Sequence, residues 1–131
     1  MRFILMMRGA MPGAGEGIMA WPKETIQAHI EFMGRFNDAL KREGVLVDAQ
    51  GLDYPPKPKI VRASTDGQVV VTDGPFIETK EHLFGYWIVK VDNAGQAYAI
   101  AARASAAPGP GGLPINMPIE VRQVMDGPQI D

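Results

Sequence analysis

Cysteine is absent from the 131 residues. That excludes disulfides, thiol catalysis and thiolate metal sites together. Histidine is nearly absent too, with only two copies, His29 and His82. A metal centre needs three or four converging ligands, so no metal is expected. No stretch approaches the ~20 apolar residues of a membrane span. The apolar run Phe3 to Met7 is too short for a secretory leader. Neither sign of charge dominates, because 13 Lys+Arg stand against 15 Asp+Glu for a net charge of −2. The longest basic cluster, Lys57 and Lys59 followed by Arg62, is broken by Pro58. Nucleic acid and polybasic membrane contacts both need denser positive patches, so neither partner is expected. The nucleotide signatures are missing as well. Gly13, Gly15 and Gly17 do not have G-x-G-x-x-G spacing, and there is no P-loop and no G-x-S-x-G elbow. The expectation is a cytoplasmic protein without a cofactor.

What is present describes one domain, over residues 1–125, with a tail at 126–131. Apolar residues make up 46% of the chain, enough for a core at this length. Residues 1–7 read as a strand apolar on both faces, and 9–21 as a glycine-rich loop that could rim a pocket. Residues 22–43 form an amphipathic helix, with Pro22 at its first position and Gly44 beyond its end. Its stripe is Ile26, Ile30, Met33 and Leu40, with Phe36 and His29 at one flank. Val45 to Val47 can be a second strand. Residues 60–63 and 68–72 flank Asp66-Gly67, a hairpin signal. Residues 83–91 are a long apolar strand, and Asn93 with Gln96 can cap a second helix. A Pro/Gly arm follows at 107–118, and then a strand from Ile119.

Strand–helix–strand, hairpin, strand–helix–strand is the order of a ferredoxin-like α+β fold with an inserted β-hairpin. Two helices cover one sheet face, yet both faces are apolar. Phe3 and Leu5 point one way and Ile4 and Met6 the other, and Tyr86 and Ile88 oppose Trp87 and Val89. The uncovered face predicts a homodimer.

Two features could carry chemistry. His29 is either a core-edge histidine bonded to a neighbour or a general acid–base group. His82, beside Glu81 at a strand start, reads as solvated. Asp73-Gly74-Pro75 reads first as a turn, with Phe76 packed as an anchor. In a functional reading Asp73 orients or charges an imidazole and Lys80 binds an anion, with Glu78 in the same polar segment. Arg8 is a second anion-binding candidate. Tyr86 and Trp87 point to opposite faces of one strand, one into the helix-covered core and the other onto the open face as pocket wall or dimer contact, and Tyr86 is a substrate-binding candidate.

The chain resembles the YCII-related proteins, in the branch called DGPF-domain proteins. The residues that carry the likeness are Val71-Thr-Asp-Gly-Pro-Phe76, Glu78-Thr-Lys-Glu81 and Gly85-Tyr86. Ala28-His-Ile-Glu-Phe32 with Gly44, residues 96–103 and Ile119-Glu-Val-Arg122 support it. The resemblance implies a dimeric α/β barrel of ferredoxin-like halves, with a His–Asp pair suggested as active site. His29 matches the histidine, and Asp73 is the candidate acid. The resemblance also carries an association with extracytoplasmic-function sigma factors. Two functions follow as expectations. One is small-molecule binding, with His29/Asp73 acid–base chemistry and Arg8, Glu78, Lys80 and Tyr86 at the substrate. The other is a non-catalytic regulatory or protein-interaction module.

Overall fold

The computed structural model describes residues 1–10, 21–53, 56–76 and 81–127. Elements run β1 (Arg2–Ala10), α1 (Lys23–Arg42), β2 (Leu46–Gly51), β3 (Lys59–Ala63), β4 (Val69–Asp73), β5 (Glu81–Lys90), α2 (Ala94–Ser105) and β6 (Ile119–Val124). A four-stranded sheet has the order β2-β5-β1-β6, and every pairing in it is antiparallel. The arrangement is α+β and compatible with a ferredoxin-like fold. β3 and β4 form a separate two-stranded hairpin, with Gly67 at φ 82° in its turn. The positive φ is what glycine supplies there.

Local chemistry explains the helix limits. Gly44 follows α1 at φ 73° and terminates it. Pro22 stands just outside α1, whose first turn starts at Lys23. At α2, the Asn93 side chain accepts from the Gln96 amide at 3.0 Å. The Gln96 side chain reaches back to the Asp92 amide at 2.7 Å, one residue before the expected capping-box contact.

Both helices cover the same sheet face. Phe3, Leu5, Trp87 and Val89 meet Phe36 and Leu40 of α1 and Ala97, Ile100, Ala101 and Ala104 of α2. The alanine face lets α2 approach the sheet closely. Phe36 meets Trp87 edge-on at 5.5 Å, and Trp87 Nε1–H donates to Asn37 Oδ1 at 2.7 Å. The buried stripe of α1 is His29, Phe36 and Leu40, while Ile30 is exposed. His29 therefore lies on the buried line itself, not at its flank. The helix is turned because Phe36, the larger group, takes the contact with Trp87.

The other face carries Ile4, Met6, Tyr86 and Ile88 in adjacent rows, and neither helix covers it. The arm after α2 packs on its own chain. It folds back through Gly109 N to Leu113 O at 2.8 Å and Ile115 N to Ala107 O at 2.9 Å, which satisfies backbone groups that proline and glycine leave without a helix or strand. Phe76 anchors nothing, because it is exposed.

Leu40 is fully buried, whereas Val61 on the hairpin is 62% exposed. Leu40→Ala is expected to cost about 2–5 kcal/mol, and Val61→Ala less than about 0.5 kcal/mol. Urea unfolding of the two variants measures both.

Candidate functional site

His29 sits two turns into α1 and is buried. Its Nδ1 lies 3.0 Å from the Pro108 carbonyl oxygen. A carbonyl only accepts, so Nδ1–H is the donor, and in the neutral ring Nε2 holds the lone pair. Nε2 makes no hydrogen bond among the described residues. Trp21 presents its ring edge-on to the imidazole at 5.8 Å. The same indole packs on Gly109, where its Cη2 lies 3.5 Å from the position a Cβ would occupy. Residues 21, 29 and 108–109 thus converge from the start of α1 and from the arm.

Of the residues expected at a site, the described ones, His29, Asp73, Arg8 and Tyr86, share no hydrogen bond or ion pair with one another. Asp73 ends β4 and pairs with Lys59 across the hairpin. That hydrogen bond, and then the lysine's charge, hold its carboxyl below the ordinary 3.8. No hydrogen bond or ion pair joins Asp73 to His29. Arg8 Nε donates to Glu120 at 3.0 Å, and Arg8 Nη2 lies 3.7 Å from Met6 Sδ. Its charge is thereby balanced across the β1–β6 edge. Tyr86 stands on the open face, and its hydroxyl donates to Asp48 Oδ2 at 2.9 Å. Glu78 and Lys80 lie outside the described residues, as does the glycine-rich segment 11–20.

His82 corrects an expectation. It is only 7% exposed. The register explains why. β1 is regular, but β5 carries an extra residue where Met7 pairs with Gly85 and Arg8 with Leu83. The bulge reverses the inward and outward alternation, and His82 becomes the partner of Gly9 on the helix-covered face.

Four contributors escaped the sequence reading: Trp21, Pro108, Asp48 and Glu120. Only Trp21, an aromatic directly before the proline that opens a helix, left a trace in the sequence. Two grooves also lie away from His29. One, of about 280 Å³, is lined by Asn37, Lys41, Leu46, Val47, Asp48 and Ala49. The other, of about 270 Å³, runs between α2 and the arm past Ser105, Asn116 and Met117. Among the described residues no group of three or more His, Asp or Glu side chains is placed to hold a metal ion. No helix among them is long and apolar enough to cross a membrane.

A family model described as the YCII-related domain matches residues 1–113. The chain belongs to the YCII-related family. The match ends before β6, yet β6 pairs with β1 from Arg2 to Met7 and completes the sheet of this YCII-related domain. No curated protein matches the chain.

Tyr86 is testable on its own. Its hydroxyl loses a proton above the ordinary 10.0, because it donates to the Asp48 carboxylate, with desolvation and that carboxylate's charge adding to the effect. The raised folded-state value means that this contribution to stability is complete below the unfolded value. It fades as pH rises through the folded one. Ultraviolet titration is expected to show one late-ionising tyrosine, and Asp48→Asn to bring it back toward the others.

Proposed function

We propose that this YCII-related domain is a homodimeric small-molecule binder in which His29 is the acid–base group. One observation carries the reading: the Nδ1–H bond to the Pro108 carbonyl, which fixes the ring and leaves Nε2 as the proton acceptor. In a histidine acid–base site a carboxylate often performs this orienting task. Here, within one chain, a backbone carbonyl performs it, and Asp73 acts on the imidazole only if the dimer brings the hairpin of one copy to the other. A ligand proton passes to Nε2 and returns from it, while Nδ1–H stays on the carbonyl. Trp21 supplies an apolar wall.

The homodimer reading rests on the face that the helices leave uncovered. Ile4, Met6 and Ile88 form its apolar centre. The Tyr86–Asp48 and Arg8–Glu120 pairs stand at its sides with their polar groups already matched. Matched pairs can enter an interface without leaving an unpaired charge. Two such sheets face to face would give the α/β barrel that the DGPF-like motif implies.

A second reading, a regulatory module that docks a partner protein, is favoured by the hairpin. Val61, Val69 and Val71 share one of its faces and are each more than half exposed. Charged substitutions there, such as Val69→Lys, would abolish docking and spare any ligand site.

His29→Asn tests the primary reading. Its amide NH2 can replace the Nδ1–H donor to Pro108, while Nε2 is lost. Ligand-observed NMR against a library of small organic acids and phenols is expected to find a binder of the wild type that the variant does not bind. Equal binding by both proteins, or no binder at all, overturns the proposal. Sedimentation is expected to show a dimer that Ile4→Glu dissociates.

A further inference from the structure

The arm after α2 has a main-chain pattern that aims one carbonyl at α1. Pro108 and Pro114 face each other as an antiparallel bridge. On either side of it, Ile115 N–H donates to the Ala107 carbonyl at 2.9 Å and Gly109 N–H to the Leu113 carbonyl at 2.8 Å. The prolines therefore hold the position that exchanges no hydrogen bonds. Neither needs an N–H there, and each carbonyl points out of the pair. The Pro108 carbonyl is the one that takes His29 Nδ1–H, at 3.0 Å.

We propose that Gly109 is the positioning residue of this site: its missing side chain lets the arm seat against Ile115 and Trp21 at the depth where the Pro108 carbonyl meets the imidazole. The inference rests on the reading of His29 as the acid–base group, and adds the residue that decides which of its nitrogens carries the proton.

Space, not backbone conformation, is what Gly109 supplies. It is buried, and its φ of −124° is open to any residue. A Cβ there would lie 2.9 Å from Ile115 Cγ1, 3.6 Å from Ile115 Cδ1 and 3.5 Å from Trp21 Cη2. The indole distance is ordinary contact. The approach to Cγ1 is far inside it, so one of the two residues must move. Ile115 does not swing aside cheaply. It is β-branched and stiff at χ1, and its N–H ties it to Ala107. The indole bounds the same space, so the methyl has no empty gap to turn into. The arm is then displaced at residue 109. The nitrogen of Gly109 is bonded to the carbonyl carbon of Pro108, so that displacement moves the acceptor itself.

The consequence is chemical, because the partner of one ring nitrogen selects the tautomer. With the carbonyl in place, Nδ1 holds the proton and Nε2 the lone pair. With the carbonyl displaced, either nitrogen can hold the proton, and part of the molecules lose the acceptor at Nε2. The buried core cluster around Trp87 contains none of residues 108–115, so a change here alters the ring without unfolding the sheet.

Long-range proton–nitrogen spectra of the full chain, at a pH where the ring is neutral, read the effect. The wild type is expected to show His29 protonated at Nδ1 alone. Gly109→Ala is expected to show a mixture of both tautomers. Gly109→Ala combined with Ile115→Ala removes the atom that the new methyl strikes, and is expected to return to Nδ1 alone. A merely structural role for Gly109 would lower stability and leave the tautomer unchanged. The Trp87 Nε1–H resonance, from the donor to Asn37, reports in each variant that the core is intact. Ile115→Phe crowds residue 109 from the other side of the contact and is expected to give the same mixture, so a folding defect in Gly109→Ala would not hide the answer. If Gly109→Ala keeps Nδ1 alone protonated, or the double variant does not return to it, the role of Gly109 is overturned and the His29–Pro108 bond stands. A wild-type ring protonated at Nε2 overturns the reading of His29 and this inference with it.

Discussion

The hydrogen bond from His29 to the Pro108 carbonyl is, among the described residues, the one hydrogen bond that joins α1 to the arm after α2. It spans 79 residues. The arm has little regular structure of its own, so its carbonyls need partners from elsewhere. One of them takes the imidazole, and Trp21 closes against the neighbouring Gly109. The same contact that holds the arm down also fixes which ring nitrogen carries the proton. Structural support and chemical orientation are one interaction here, and for that reason burial of His29 does not argue against a chemical role.

The sheet divides the molecule into two chemically different sides. On the helix side, aromatic and alanine packing excludes water, and His29 and His82 are both buried. On the open side, polar groups are already paired within the chain. Arg8 and Tyr86, the groups expected to meet a substrate, are engaged with Glu120 and Asp48. Side chains so matched suit a surface that presses against another copy. In the function proposed above, ligand chemistry belongs to the helix side and assembly to the open side.

Much of the fold was legible in the sequence because local rules control it. Asn93 and Gln96 announce α2, Gly44 ends α1, and Asp66-Gly67 turns the hairpin. The family motif at 71–76 was also legible and led to the YCII-related family. Three features were hidden for physical reasons. The phase of α1 depends on Phe36 meeting Trp87, a tertiary contact that an apolar count does not contain. β2 continues through polar Asp48 to Gly51, where edge pairing with β5, not hydrophobicity, maintains the strand. The bulge in β5 reverses the alternation and moves His82 inward; Gly85 beside it is a bulge signal, but it does not say that the side chain at 82 changes face. The His29–Pro108 bond was illegible for a further reason. Its acceptor is a backbone carbonyl, which carries no mark in a sequence.

The most direct test is the tautomer of His29, read from a long-range proton–nitrogen correlation spectrum of the wild-type protein at a pH where the ring is neutral. The account predicts that Nδ1 is protonated and Nε2 bare. A neutral ring protonated at Nε2 would mean that Pro108 does not orient the imidazole, and would contradict the account at its base.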